Sequence, residues 1–280
     1  MDEMHVGTPE QRALVQRFKA ACEADERIVA AFLGGSFAGG TWDDYSDLDI
    51  YLVTTDEGYD SFFAERRDFM HSLGEPVFLE DFNDFGFDML LFTFADGAEG
   101  ELAMERQSNF THIHGGPYEV LVDKKSLLAE KTFPMLKSSY QDQEKTLGRL
   151  IYWFWEDVSH FITCMNRNEL WLAQGNLDQM RRKCVNLLRL RHDFDAEAAG
   201  YNKVEKALPE EELRPLNATF APLEPRAMIE AGRVVVRTYK EVVRPLAQEH
   251  RIEYPAGIDA LLSGRLQELE ARLHPGTADG

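Results

Sequence analysis

The stretch LGGSFAGGTWDDYSDLDIYLV, residues 33–53, decides the fold. An apolar run rich in strand formers, Arg27 to Leu33 (RIVAAFL), leads into it and stops at Gly34-Gly35, which reads as a buried strand entering a glycine turn. A second strand follows at Asp47 to Val53. Its alternation puts Leu48, Ile50 and Leu52 on one face and Asp47, Asp49, Tyr51 and Val53 on the other. Two carboxylates at i and i+2 of a strand project together, close enough to share divalent cations. Gly35 permits close backbone approach, and the amides around Ser36, with its hydroxyl, suit phosphate oxygens. Either piece alone is commonplace; it is their order, with the second strand otherwise apolar, that points to a metal platform. Asp43 and Asp44 read as loop charge, because the alternation does not group them with the pair.

Outward from this stretch, Thr8-Pro9-Glu10-Gln11 has the pattern of a helix start, with Thr8 as cap, proline at the first position and Gln11 reaching back. Leu14, Val15, Phe18 and Cys22 supply its apolar face. A helix is expected over 58–72, then short strands near Val77, over Met89 to Phe94, over Glu101 to Glu105 and over Tyr118 to Val122. Beyond Lys137 the period changes. Helical stripes run from Leu147 to Met165, over 170–191, and from Met228 to Leu246 after a proline-rich link at Pro209, Pro215, Pro222 and Pro225. The expected fold is therefore an α/β (α+β) domain with a mixed sheet at 1–135, followed by an all-α bundle at 136–280, with the boundary near 131–140.

Composition narrows the function. The chain has 280 residues and a net charge of −19, which argues against a nucleic-acid partner that needs a basic footprint. Residues 1–100 carry 22 acids and 6 bases, and the ten acids from Asp68 to Glu105 are interrupted by no Lys or Arg. Such a field keeps a surface solvated or attracts a cation. Cys22, Cys164 and Cys184 form neither a disulfide framework nor a zinc pattern, the acidic N-terminus is unlike a signal peptide, and no apolar run is long enough to span a bilayer. A cytoplasmic protein with no membrane partner is expected. His112-Ile113-His114-Gly115-Gly116 lacks a third ligand at suitable spacing and reads as a loop or strand end. In Tyr152-Trp153-Phe154-Trp155, Phe154 reads as core and one of the tryptophans as lying at the domain seam.

Gly35-Ser36 followed by Asp47-Leu48-Asp49 resembles the signature of the nucleotidyltransferase superfamily of DNA polymerase β type. The chain is further similar to the antibiotic nucleotidyltransferases, both lincosamide nucleotidyltransferases and streptomycin (aminoglycoside 6-) adenylyltransferases. The similarity lies in ADERIVAAFLGGSF, YSDLDIYLV, GELAMER, ELWLAQGNLDQMRRK, YNKVEKALPEEEL and LEPRAMIEAGRVVVRTYKEV, which span most of the chain. The resemblance implies a third carboxylate on a neighbouring strand, which falls on Glu101, although Glu99 and Glu105 share its parity. It also implies a phosphate-binding base where Arg182 stands, on a helix face with Asn176, Gln179 and Lys183. Lys203 and Lys206 are weaker candidates, since Asn202 stands where such enzymes tend to have lysine.

By that resemblance Asp47, Asp49 and Glu101 are the catalytic and metal residues, Gly35, Ser36 and Arg182 bind nucleotide, and the site lies in the cleft between the domains. Two magnesium ions and ATP would serve transfer of AMP to a hydroxyl of a small acceptor, with release of pyrophosphate. The acidic stretch around Glu101 favours a polycationic aminoglycoside over a lincosamide, and the protein acts as a monomer or homodimer. A rival reading is a catalytically silent nucleotide-binding module. It leaves unexplained why three acids are kept together at an electrostatic cost.

Overall fold

The computed structural model describes residues 7–133, 143–194 and 199–273, and the chain divides into two compact units, Met1–Leu136 and Lys137–Gly280. Most of the boundary expected at 131–140 lies outside the described residues.

In the first unit, α1 (Pro9–Ala24) opens with the expected reciprocal cap: Gln11 N–H donates to the Thr8 hydroxyl and Thr8 N–H to the Gln11 side chain. The chain continues through β1 (Ile28–Leu33), the short α2 (Gly35–Ala38), β2 (Leu48–Thr54), α3 (Tyr59–Leu73), β3 (Pro76–Phe82), β4 (Asp88–Phe94), β5 (Glu99–Arg106) and β6 (Glu119–Asp123). The strands form one mixed sheet in the order β3-β4-β5-β2-β1-β6, in which only the β2–β5 pair is parallel. A parallel pair needs a crossover, and α3 with the β3–β4 hairpin supplies it.

The two faces of β2 serve different ends. Leu48, Ile50 and Leu52 join one core with Leu14, Phe18, Phe62 and Met70, so α1 and α3 cover that face. Tyr51 and Val53 join a second, smaller cluster on the opposite face with Phe32, Ala103, Ile113 and Phe133. Asp49 shares this second face, near the start of the strand and against the first residue of the short α2. Burying a large apolar side chain contributes roughly 1.5–3 kcal/mol, so the two clusters hold the strand ends firmly enough to position charged groups.

The second unit is helical: α4 (Gln143–Asn166), α5 (Leu170–His192), α6 (Val204–Ala207), α7 (Glu210–Asn217), α8 (Pro225–Glu249) and α9 (Ala256–Leu273). The three expected stripes form its core, in which Phe154 stacks on Tyr239 with ring centroids 3.6 Å apart. One expectation is corrected here. The proline-rich link carries helix, since Pro209 caps α7, Pro215 sits inside it and Pro225 opens α8. Trp155 is fully buried in this unit's own core, whereas Trp153 is exposed. Among the described residues no helix is long and apolar enough to cross a membrane.

Candidate active site

Asp49 follows from the strand that carries it. The Gly34 N–H donates to the Asp49 carbonyl at 2.9 Å, so the β1–β2 pairing runs on into the glycine turn. Gly35 then adopts φ +55°, a left-handed conformation that suits glycine. A side chain there would also collide, since its Cβ would fall 1.5 Å from Asp49 Oδ2. The carboxylate is thus seated against bare backbone. Next in the turn, the Ser36 hydroxyl is buried with no hydrogen-bond partner, a polar atom whose desolvation is uncompensated in the free protein.

The parallel register puts Glu101 directly beside Asp49, which separates it from Glu105, paired with Val53. The Asp49 and Glu101 carboxyls lie within hydrogen-bonding reach of each other. Burial, followed by the charges of Asp47 and Glu101, pushes Asp49 up to about 7. Glu101 is also raised, by burial first and then by Asp47. The pair therefore holds a proton that two separated carboxyls would release. Asp47 is exposed and stands one residue before β2 begins, so the expected strand start shifts by a residue.

Chemically, the donor set is right for a hard divalent cation: carboxylate oxygens only, crowded enough to resist full ionisation. It is not a closed cage as it stands, because no group of three or more His, Cys, Asp or Glu side chains among the described residues is spaced to hold a metal ion. The contact pair Asp49–Glu101 fits such an ion, and Asp47, exposed, acts on both electrostatically.

The same register extends the acidic face. Glu80 is opposite Leu91, Leu91 is opposite Glu101, and Glu101 is beside Asp49, so the four side chains share one row across β3, β4, β5 and β2. Glu99 stands on that face two residues before Glu101. Other acids of the 68–105 stretch are engaged elsewhere: Asp81 with Arg66 and Arg67, Asp88 with the Tyr59 hydroxyl, and Asp96 with Arg17. The stretch is therefore not one patch, and only part of it faces the site.

The two histidines do not form a pair. His112 ends a 3-10 turn and faces Glu105 at 3.7 Å. His114 is buried, its Nε2 donating to the Pro117 carbonyl at 2.9 Å, and burial lowers its pKa.

In the helical unit, Arg182 is half exposed, 3.7 Å from Asp178 and 4.6 Å above the Tyr201 ring. It borders a cavity of about 430 Å³ together with Arg149, Trp153, Gln179, Lys183 and Asn186. Lys183 is paired with Asp157. Adjacent Arg181, in contrast, is fully buried, bonded to Thr219 and Asp178 and stacked on Phe220. Arg149 was not among the expected site residues; its one-turn spacing from Trp153 on α4 is the only sequence signal for it.

These features can be set beside known proteins. The sequence model of the streptomycin adenylyltransferase family matches residues 10–265, both units included. This chain belongs to the streptomycin adenylyltransferase family. It is accordingly a nucleotidyltransferase, of an adenylyltransferase family that uses ATP as co-substrate. A crystal structure of an aminoglycoside 6-adenyltransferase from Bacillus subtilis shares 13% identity, covering 94% of this chain and 98% of that one at a TM-score of 0.44. No curated protein matches. Within this streptomycin adenylyltransferase family member, the glycine turn, Asp49 and Glu101 lie side by side.

Proposed function

We propose that this enzyme moves AMP from ATP to a hydroxyl of a cationic, aminoglycoside-type acceptor, with magnesium, and releases pyrophosphate. The observation that carries the reading is the Asp49–Glu101 carboxyl pair, seated against the Gly35 backbone beside the unpartnered Ser36 hydroxyl. Asp47, Asp49 and Glu101 would hold the cation, which when bound neutralises phosphate charge. The Gly35 and Ser36 amides and the Ser36 hydroxyl bind phosphate oxygens and orient the α-phosphate. Glu101, held protonated more readily than an ordinary carboxyl, is suited to accept the proton of the attacking hydroxyl. As the acceptor oxygen bonds to the α-phosphorus, the bond to the β-phosphate oxygen breaks. Arg182, with Arg149 in the same cavity, provides guanidinium groups for the remaining phosphate charge.

For the acceptor, Glu80 and Glu99 on the face of Glu101 favour a substrate with several positive groups. The test is incubation with ATP, magnesium and a panel of aminoglycosides and lincosamides, following pyrophosphate and the AMP adduct by mass. Adducts on aminoglycosides are expected. Pyrophosphate without any adduct, or adducts on lincosamides alone, would overturn the acceptor assignment.

A further inference from the structure

His114 has no part in the chemistry above, yet its ring lies directly behind the glycine turn. A Cβ built on Gly34 would come 2.7 Å from His114 Cε1 and 2.7 Å from Tyr51 Cε2, closer than side-chain atoms approach. Gly34 is thus in contact with the edges of two rings. Those rings are themselves fixed. Tyr51 stacks on Phe32 at 4.7 Å, and His114 meets Phe32, Tyr51 and Phe133 edge-on at 5.4, 4.8 and 5.1 Å. The hydrogen bond from Nε2 to Pro117 sets the imidazole's rotation, and the Gly116–Phe133 bridge ties its loop down.

We propose that His114 is a positioning residue for nucleotidyl transfer: its imidazole, wedged with Tyr51 behind Gly34, holds the turn whose Gly35 and Ser36 groups receive the phosphate. This rests on the proposed function above. Gly34 is the hinge of that turn, bonded to the strand of Asp49 on one side and continuous with Gly35 on the other. Without the wedge the turn gains a direction in which to relax, and a misplacement of about 1 Å can cost about 10²-fold in rate.

The test compares His114→Ala with Phe62→Leu, a core substitution on the opposite face of the sheet chosen to match the loss of Tm. His114→Ala is expected to raise the ATP KM and lower kcat/KM by about 10²-fold, whereas Phe62→Leu leaves the ATP KM unchanged. His114→Phe, which keeps a ring in place, should recover most of the loss. In a double-mutant cycle, Gly34→Ala should cost less when His114 is already alanine. Equal kinetics for His114→Ala and Phe62→Leu at equal Tm, or an additive cycle, would overturn the proposal. If His114→Ala does not fold, His114→Asn, which shortens the ring but keeps a donor, takes its place. Hydrogen exchange at the Gly34 amide, measured without nucleotide, should quicken in the His114 variants only. That reading holds even if the wild type turns over no ATP, an outcome that sinks the proposed function instead.

Discussion

Asp49 is the residue on which charge, backbone and proton meet. Its folded-state pKa of about 7 lies above the ordinary 3.8, so the folded protein binds this proton more tightly than the unfolded chain does. The stabilisation is fully present below the unfolded value and is lost as pH rises through the folded one. Asp49→Asn removes this dependence. The Tm of the wild type, relative to that of Asp49→Asn, is therefore expected to fall between about pH 4 and 7; a difference independent of pH would disprove the crowding. In assays, Asp47→Asn and Asp49→Asn should each abolish transfer while the protein stays folded, and turnover near the wild-type rate in both would refute the metal platform. Glu101→Gln keeps size but cannot accept a proton. If Glu101 is the base, kcat should drop by about 10² to 10⁴ with Mg-ATP affinity nearly unchanged, as read by titration calorimetry. A parallel fall in affinity would make it chiefly a cation ligand. The sequence shows the Asp47 and Asp49 spacing directly, although β2 begins only after Asp47. Choosing Glu101 over Glu99 and Glu105 needs the β2–β5 register, which no local pattern carries.

Elements were legible where a cap or a long stripe marks them. α1 announces itself through Thr8 and Gln11, and α4, α5 and α8 through periodic large apolar residues. α9 carries no legible stripe because its buried apolar positions are sparse, Leu262, Leu266 and Leu269, and Gly257 and Gly264 lower its helix propensity. α7 was hidden by Pro215, read as a breaker, although its helix is too short to lose more than a turn's bonding. On α5 the sequence offers Arg181 and Arg182 as neighbours of one kind. Periodicity turns them about 100° apart, and the structure gives them separate tasks. Arg181→Ala strips hydrogen bonds from Thr219 and Asp178 inside the unit and should cost about 3 kcal/mol in a denaturant melt. Arg182→Ala should leave the melt within about 0.5 kcal/mol of wild type and raise the ATP KM more than the acceptor KM. If the melts of the two variants coincide, the division of labour is wrong; unchanged nucleotide kinetics would return Arg182 to a solvated helix face.

Across the whole molecule, charge is partitioned along the chain: residues 1–100 carry −16 and residues 101–280 carry −3. The first unit carries most of the acid excess and the second most of the bases. Composition revealed that imbalance but not its direction, since Arg66, Arg67 and Arg17 neutralise acids that the bare sequence counts as free. What remains on the face of Glu101 is Glu80, Glu99, Glu101 itself and Glu105, which faces His112, beside Asp47 and Asp49. Exposed charges interact over a Debye length of about 10 Å at 0.1 M salt and about 3 Å at 1 M. Glu80 is separated from Glu101 by one intervening strand, roughly 10 Å at 4.7–4.9 Å per strand, so its pull on a bound cation falls inside the first range and outside the second. Acceptor binding should therefore weaken steeply from 0.05 to 0.5 M salt for an aminoglycoside and scarcely change for a lincosamide. Glu80→Gln should flatten the aminoglycoside's salt slope without altering ATP affinity. A slope that survives the substitution unchanged would move the acceptor's cation off this row of the sheet.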